Sequence, residues 1–340
     1  EMTNMNEKIE NPLGTEPVGK LLRKFAVPSI ISMLVMSLYN IVDQIFIGQC
    51  VGELGNAATN VAFPFTTLCI ATALAFGIGG ASGFNLNLGA GEKEKAPYFI
   101  GGSASMMFII GVVLSVVGLT ALKPLLLFFG STDTVLPYAM EYTKYLALGF
   151  PFAIISSGGS HLVRADGSPK FSMACNLVGA IVNVILDYLF VMVFNWKMAG
   201  AAIATVIGQI LASIMVIWYL IHFKTIKLHG KHFVPQLKIV GRTVHLGMAQ
   251  CLNQLAIMFV QIVMNKSLTY YGALSPYGAD IPLACTGIVM KVNQVYFSIC
   301  IGVAQGIQPI ASFNRGAGKN DRVKKTYKLA VSCNTIISTI

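Results

Sequence analysis

The stretch from Cys175 to Phe194, CNLVGAIVNVILDYLFVMVF, constrains this chain more than any other. It is long and apolar enough to cross a bilayer as a helix, yet it carries Asn183 and, four residues later, Asp187. On a helix that spacing puts both polar groups on one face, about a turn apart. A carboxylate in hydrocarbon costs at least ~2.5 kcal/mol, so it faces a wet cavity, an ion or a partner.

The stretch has company. Hydrophobic residues make up 55% of the chain and charged residues 11%, with a mean hydropathy of +0.68. That is too apolar for a soluble domain of 340 residues and implies an all-α integral membrane protein. Apolar runs place spans at 25–48, 57 to about 83, 98–122, 136 to about 158, 175–194, 198–221, 241–266 and 281–312. Residues 1–19 read as an uncleaved cytoplasmic arm. His161–Lys170 and Arg315–Lys328 read as polar loops, and 223–240 as a basic linker. The net charge of +10 lies between apolar runs, not on one soluble face, which excludes a nucleic-acid partner. The seven cysteines lack any CxxC spacing and read as small buried hydrophobes.

Loop charge sets the expected orientation. Lys20, Arg23, Lys24, Lys93, Lys95, Arg164, Lys170 and the lysines and arginines of 224–242 and 315–328 fall on one side, against Lys123, Lys144, Lys197 and Lys266 on the other. The N-terminus is therefore expected in the cytoplasm. Asp187 then lies roughly 10 Å below the outer surface, Asp43 roughly 8 Å and Thr205 roughly 10 Å, with Asn183 a turn deeper. Two carboxylates, an amide carbonyl and a hydroxyl are hard oxygen ligands suited to sodium, and two neighbouring carboxylates equally suit a shared proton. Structural alternatives stand beside each residue: Asp43 as a helix cap, Asn183 as an interhelical bridge, Thr205 bonded to its own backbone.

The chain also repeats itself. Asn87-Leu-Gly-Ala-Gly91, after the second span, matches Asn314-Arg-Gly-Ala-Gly318, after the eighth, and each follows a glycine-rich helix end. Spans one and two thus correspond to seven and eight in a parallel repeat, the arrangement in which transporters bind cargo between halves.

Pro28 fifteen residues before Asp43, the Asn40–Gly48 context, the Asn183/Asp187 pair, Thr205 eighteen residues later and the repeated GAG loop together resemble the MATE (multidrug and toxic compound extrusion) transporters of the prokaryotic type. The resemblance covers the chain from Lys20 onward. It implies a two-lobe fold of six plus six helices, of which this sequence covers the N-lobe (20–222), the linker (223–240) and about two and a half helices of the C-lobe (241–340, incomplete). A lone fragment of that extent should not transport. It further implies export of amphipathic organic cations, coupled to inward Na+ or H+, with Asp43, Asn183, Asp187 and Thr205 as the cation site and no other cofactor. Pro28 would act as hinge. Expected localisation is a bacterial or archaeal cytoplasmic (inner) membrane, as a monomer among lipids.

A candidate substrate pathway follows from polar and adaptable side chains at depth: Met33, Met36, Tyr39, Asn40, Gln250, Asn253, Gln254, Met290, Lys291 and Gln294. Lys291 reads as the only basic residue near the midplane, either in the pathway or paired with a carboxylate elsewhere. Three rival readings find less support in the residues. A lipid-linked precursor flippase needs more buried basic groups than the first lobe offers. An intramembrane enzyme lacks HExxH, a paired acidic motif and GxSxG, and His229–His232 has no third ligand. A structural subunit needs no two aspartates at one depth.

Overall fold

A computed structural model of the chain describes residues 11–131, 133–276 and 280–339. Helices account for nearly all of it: a single turn α1 (Pro12–Thr15), then α2 (Val18–Cys50), α3 (Glu53–Gly89), α4 (Ala96–Thr120), a short α5 (Leu122–Phe128), α6 (Leu136–Ala165), α7 (Pro169–Asp187), α8 (Lys197–Ile221), α9 (Leu237–Ala273), α10 (Asp280–Gly316) and α11 (Asn320–Thr339). No strand occurs among the described residues. Among the described residues eight helices are long and apolar enough to cross a membrane, and they match the eight spans read from the sequence. Outward-facing apolar side chains, such as Phe108, Val112, Val113 and Val116 on α4 and Ile214, Trp218 and Ile221 on α8, are exposed as a lipid-facing surface requires.

Several boundaries move. Helix α6 continues through the expected His161–Lys170 loop as far as Ala165, so His161 and Arg164 are buried helix residues and only the tight turn 166–168 remains. Asp166 organises that turn, accepting the Lys224 and Thr225 backbone N–H groups at 2.8 and 2.9 Å and the Tyr219 hydroxyl at 2.8 Å. The Arg315–Lys328 loop is likewise mostly helix, because α11 starts at Asn320 and carries its basic residues on its first turns. The 223–240 linker holds a 3-10 turn, Gly230–Phe233, and gives way to α9 at Leu237. The six described cysteines are free, but only Cys69 and Cys175 are fully buried, whereas Cys285 lies outside the described side chains. Residues 1–10 of the expected arm also lie outside the described residues.

Helices α2–α8 share one large apolar core. Among the remaining helices, α9 and α10 meet this body along two principal seams, α2 against α10 and α3 against α9, with α10 also packed on α3. Both are built by glycine at points of backbone approach. A Cβ at Gly79 would collide with the Thr243 carbonyl oxygen, and one at Gly247 with that of Ala75. Gly302 and Gly306 press on Ile30 and Ala26, one on each side of Pro28, and α2 runs unbroken through that proline.

The two NxGAG segments adopt one conformation. Asn87 and Asn314 each donate from Nδ2 to the carbonyl four residues earlier, and the following Gly91 and Gly318 both take left-handed φ, +83° and +72°. The copies also touch each other: a Cβ at Gly89 would collide with Phe313 O, and one at Gly316 with Leu86 O. Since span one meets span eight while span two meets span seven, the contacts exchange as a two-fold relation between copies requires.

Candidate cation site

Three helices bring four oxygen-bearing side chains together. Asp43 comes from α2, Asn183 and Asp187 from α7, and Thr205 from α8; Asp187 and Asn183 are fully buried and Asp43 nearly so. Helices α7 and α8 approach closely because Gly179 and Gly208 face each other, with a Cβ at Gly208 only 2.6 Å from Gly179 O. That closeness lets Asn183 donate from Nδ2 to Thr205 Oγ1 at 3.2 Å. The Asp43 and Asp187 carboxyl groups face one another, side chain to side chain, and Asn183 approaches Asp187.

The arrangement is short of donors. Asp43 Oδ1, both carboxyl oxygens of Asp187 and Asn183 Oδ1 are buried without a hydrogen-bond donor. Buried oxygens of this kind are costly unless something positive meets them. Four acceptors converging from separate helices suit a small hard cation or a shared proton. Among the described residues no group of three or more His, Cys, Asp or Glu side chains is gathered as for a transition metal.

At Asp187 the α-helix gives way to a π-helical turn, Tyr188–Val193, where the expected span runs on regularly to Phe194. The Trp196 N–H reaches back to Phe190 O at 2.8 Å, and Asn195 and Lys197 take positive φ. Such widened turns recur where a helix is re-aimed at a functional position. Periodicity of apolar residues does not report which carbonyl an N–H chooses, so no signal in the sequence marks it.

A cavity of about 60 Å³, room for a few water molecules, opens beside the cluster and is lined by Met36, Tyr39, Asn176, Asn183, Thr205 and Gln209 among others. Asn183 and Thr205 belong to both, whereas neither Asp43 nor Asp187 lines the cavity. Of the expected pathway residues, Met36 and Tyr39 line it. Asn40 is exposed and donates to Met36 O at 2.8 Å on its own helix. Met33 instead lies at the α2–α10 seam, accepting from Gln305 at 3.6 Å. Gln250 and Asn253 are exposed on α9 and Gln254 is half-buried; Met290 is half-buried and Gln294 exposed on α10. None of these five lines the cavity. The Lys291 side chain lies outside the described residues.

A buried cation does lie elsewhere in the bundle. Arg164, 1% exposed near the end of α6, donates from Nη1 to Gln305 Oε1 of α10 at 2.9 Å. No carboxylate pairs with it among the described residues. The neighbouring Asp166-Gly-Ser-Pro is a strong turn signal, which is why residue pattern alone assigns Arg164 to a loop.

A family model, MatE, matches residues 28–189 and 249–340. The chain belongs to the MATE family. Among curated relatives, the "Multidrug export protein MepA" of Staphylococcus aureus (strain N315) is 24% identical over 316 residues, covering 93% of this chain and 68% of that protein. A solved structure of the MATE multidrug transporter DinF-BH is 31% identical, with a TM-score of 0.87 over 96% of this chain and 72% of its own. A second, a MATE in complex with MaD3S, is 22% identical at a TM-score of 0.87, covering 98% and 74%, and speaks for the fold. This MATE chain is accordingly a multi-pass membrane protein.

Proposed function

We propose that this chain belongs to a secondary exporter of amphipathic small molecules, in which a cation, Na+ or H+, enters as cargo leaves. The observation that carries the reading is the donor-poor pair Asp43–Asp187, facing across two helices within an apolar bundle. Asn183 and Thr205 complete the cation set, and the cavity they share with Met36 and Tyr39 supplies a wet approach. The relatives are named as multidrug exporters, which favours drugs over lipid-linked precursors as cargo.

The mechanism is differential binding. With no cation, two facing carboxylates repel and favour an arrangement that parts or hydrates them; a bound cation stabilises the close one. Cargo that prefers the other arrangement is displaced, so ion entry and release are linked through two states. Alternating access would be a movement of an N-lobe (20–222) against a C-lobe (from 241), joined by the 223–240 linker, with Pro28 as the bend in α2 and the basic side towards the cytoplasm. The full protein would have six helices in each lobe, act as a monomer and catalyse no covalent step.

The test is substrate efflux from proteoliposomes holding the full-length protein, with the sodium and proton gradients imposed separately. Export driven by neither gradient overturns the coupling, whatever its rate.

A further inference from the structure

Each copy of the repeat is preceded by a short turn that the mechanism above does not use. Helix α1 (Pro12–Thr15) comes before α2, separated by Glu16 and Pro17; the 3-10 turn Gly230–Phe233 comes before α9, separated by Val234, Pro235 and Gln236. Neither turn packs only on the helix it introduces. Each crosses to the opposite copy and docks near the start of that copy's third helix.

The first is held by cations and an amide. Lys319 Nζ donates to Gly14 O at 3.0 Å, and Arg322 Nη2 to Glu16 O at 2.6 Å and Leu13 O at 3.3 Å. Asn314 Nδ2 also donates to Leu13 O at 2.8 Å, and Arg322 Nε steadies Asn314 Oδ1 at 3.0 Å. Leu13 is buried against Phe25 of α2 and Ile310 and Phe313 of α10. The second turn is held by neutral contacts on α4. Ser105 Oγ donates to Phe233 O at 2.6 Å, and the His232 ring meets Tyr98 edge-on at 4.8 Å. Gly101 lets the His232 carbonyl approach where any Cβ would collide with it. The sequence differs between copies as the chemistry does: Lys319 and Arg322 grip carbonyls, whereas Glu92 and Lys95 of the first copy pair with each other at 3.0 Å.

We propose that the two turns are paired straps, each tied to the first helix of one copy and fastened to the other, so that the seams beside the NxGAG loops part only when both straps release. Gly89–Phe313 and Gly316–Leu86 are backbone contacts between the two copies, next in sequence to the Asn314, Lys319 and Arg322 that hold α1, and on this proposal they separate only once α1 leaves Arg322 and the 3-10 turn leaves α4. Charged donors on carbonyl oxygens make the first strap the stronger fastening. The straps therefore set how often this side opens, independently of the cation at Asp43 and Asp187.

The inference rests on the alternating-access reading, and the two fail differently. Ser82, whose hydroxyl accepts from Gln308 Nε2 across the α3–α10 seam at 3.0 Å, serves as reporter. Ser82→Cys in the full-length protein, with native cysteines replaced, is labelled by a water-soluble maleimide. Lys319→Ala with Arg322→Ala should raise the labelling rate roughly tenfold; Arg322→Lys should recover part of the loss, and Tyr98→Ala should give a smaller rise. Unchanged labelling in both strap variants, with melting temperatures intact, overturns the straps. Should the double substitution not fold, Arg322→Gln and Ser105→Ala carry the test singly, and no acceleration in either is equally fatal. If Asp187→Asn alters labelling while strap variants do not, the straps fall alone; if labelling answers to neither, two-state opening falls as well.

Discussion

Among the buried charges of α2–α8, the Asp43–Asp187 pair and Arg164 are satisfied in opposite ways. Asp43 and Asp187 face each other with no donor on three of their four oxygens. Arg164, equally buried, finds a neutral amide on α10, and Gln305 extends from there to Met33 of α2. The acidic site draws its side chains from α2, α7 and α8 alone and leaves its carboxyl acceptors unmet, so the partner that suits it is one that comes and goes. The basic site borrows its partner across a seam, so it is complete only while the seam is shut. Under the proposed mechanism the first answers to an ion and the second to an arrangement.

Removing a member of the acidic pair should have the largest effect. Asp187→Asn should abolish gradient-driven export, while relief of repulsion raises the melting temperature by a few degrees; retained coupling in proteoliposomes would remove the carboxylate from the mechanism. The Arg164 site should respond asymmetrically. Gln305→Leu strands a buried guanidinium and should cost ~2 kcal/mol, more than Arg164→Leu, which leaves only an amide unpaired. Chemical denaturation of the two variants decides it, and equal costs would mean that Arg164 is hydrated in place. Gly208→Ala should push α7 from α8 against the Gly179 carbonyl and weaken cation binding by separating Asn183 from Thr205, as isothermal titration would show. Smallest of all, Thr205→Val removes a single 3.2 Å bond and should cost ~1 kcal/mol, about fivefold in ion affinity, with Thr205→Ser near the original. Were Thr205→Val to match Asp187→Asn, the hydroxyl and not the carboxylate would dominate.

What the sequence disclosed was set by how locally each feature is encoded. Eight spans were legible because about twenty apolar residues in a row leave a chain few other places to go. The gathering of Asp43, Asn183, Asp187 and Thr205 was legible because helical rise converts position into depth, and side chains at one depth on neighbouring helices can meet. Arg164 was lost because a turn signal two residues on outweighed its membership of α6. The π-helical turn after Asp187 and the fastening of α1 by Arg322 were lost for a shared reason. Both depend on which acceptor a donor selects over distance, and local pattern carries no record of that choice.

The glycine contacts along α3–α9 and between the two NxGAG ends carry a last consequence. Carbonyls there press on neighbouring backbone while remaining bonded inside their own helices, so parting the surfaces strips no main-chain hydrogen bond and forfeits mainly dispersion. Water can wet such a face and be squeezed out again at little cost. A join made of interlocked large side chains would have to be repacked at every turnover; this one needs only to be pressed flat.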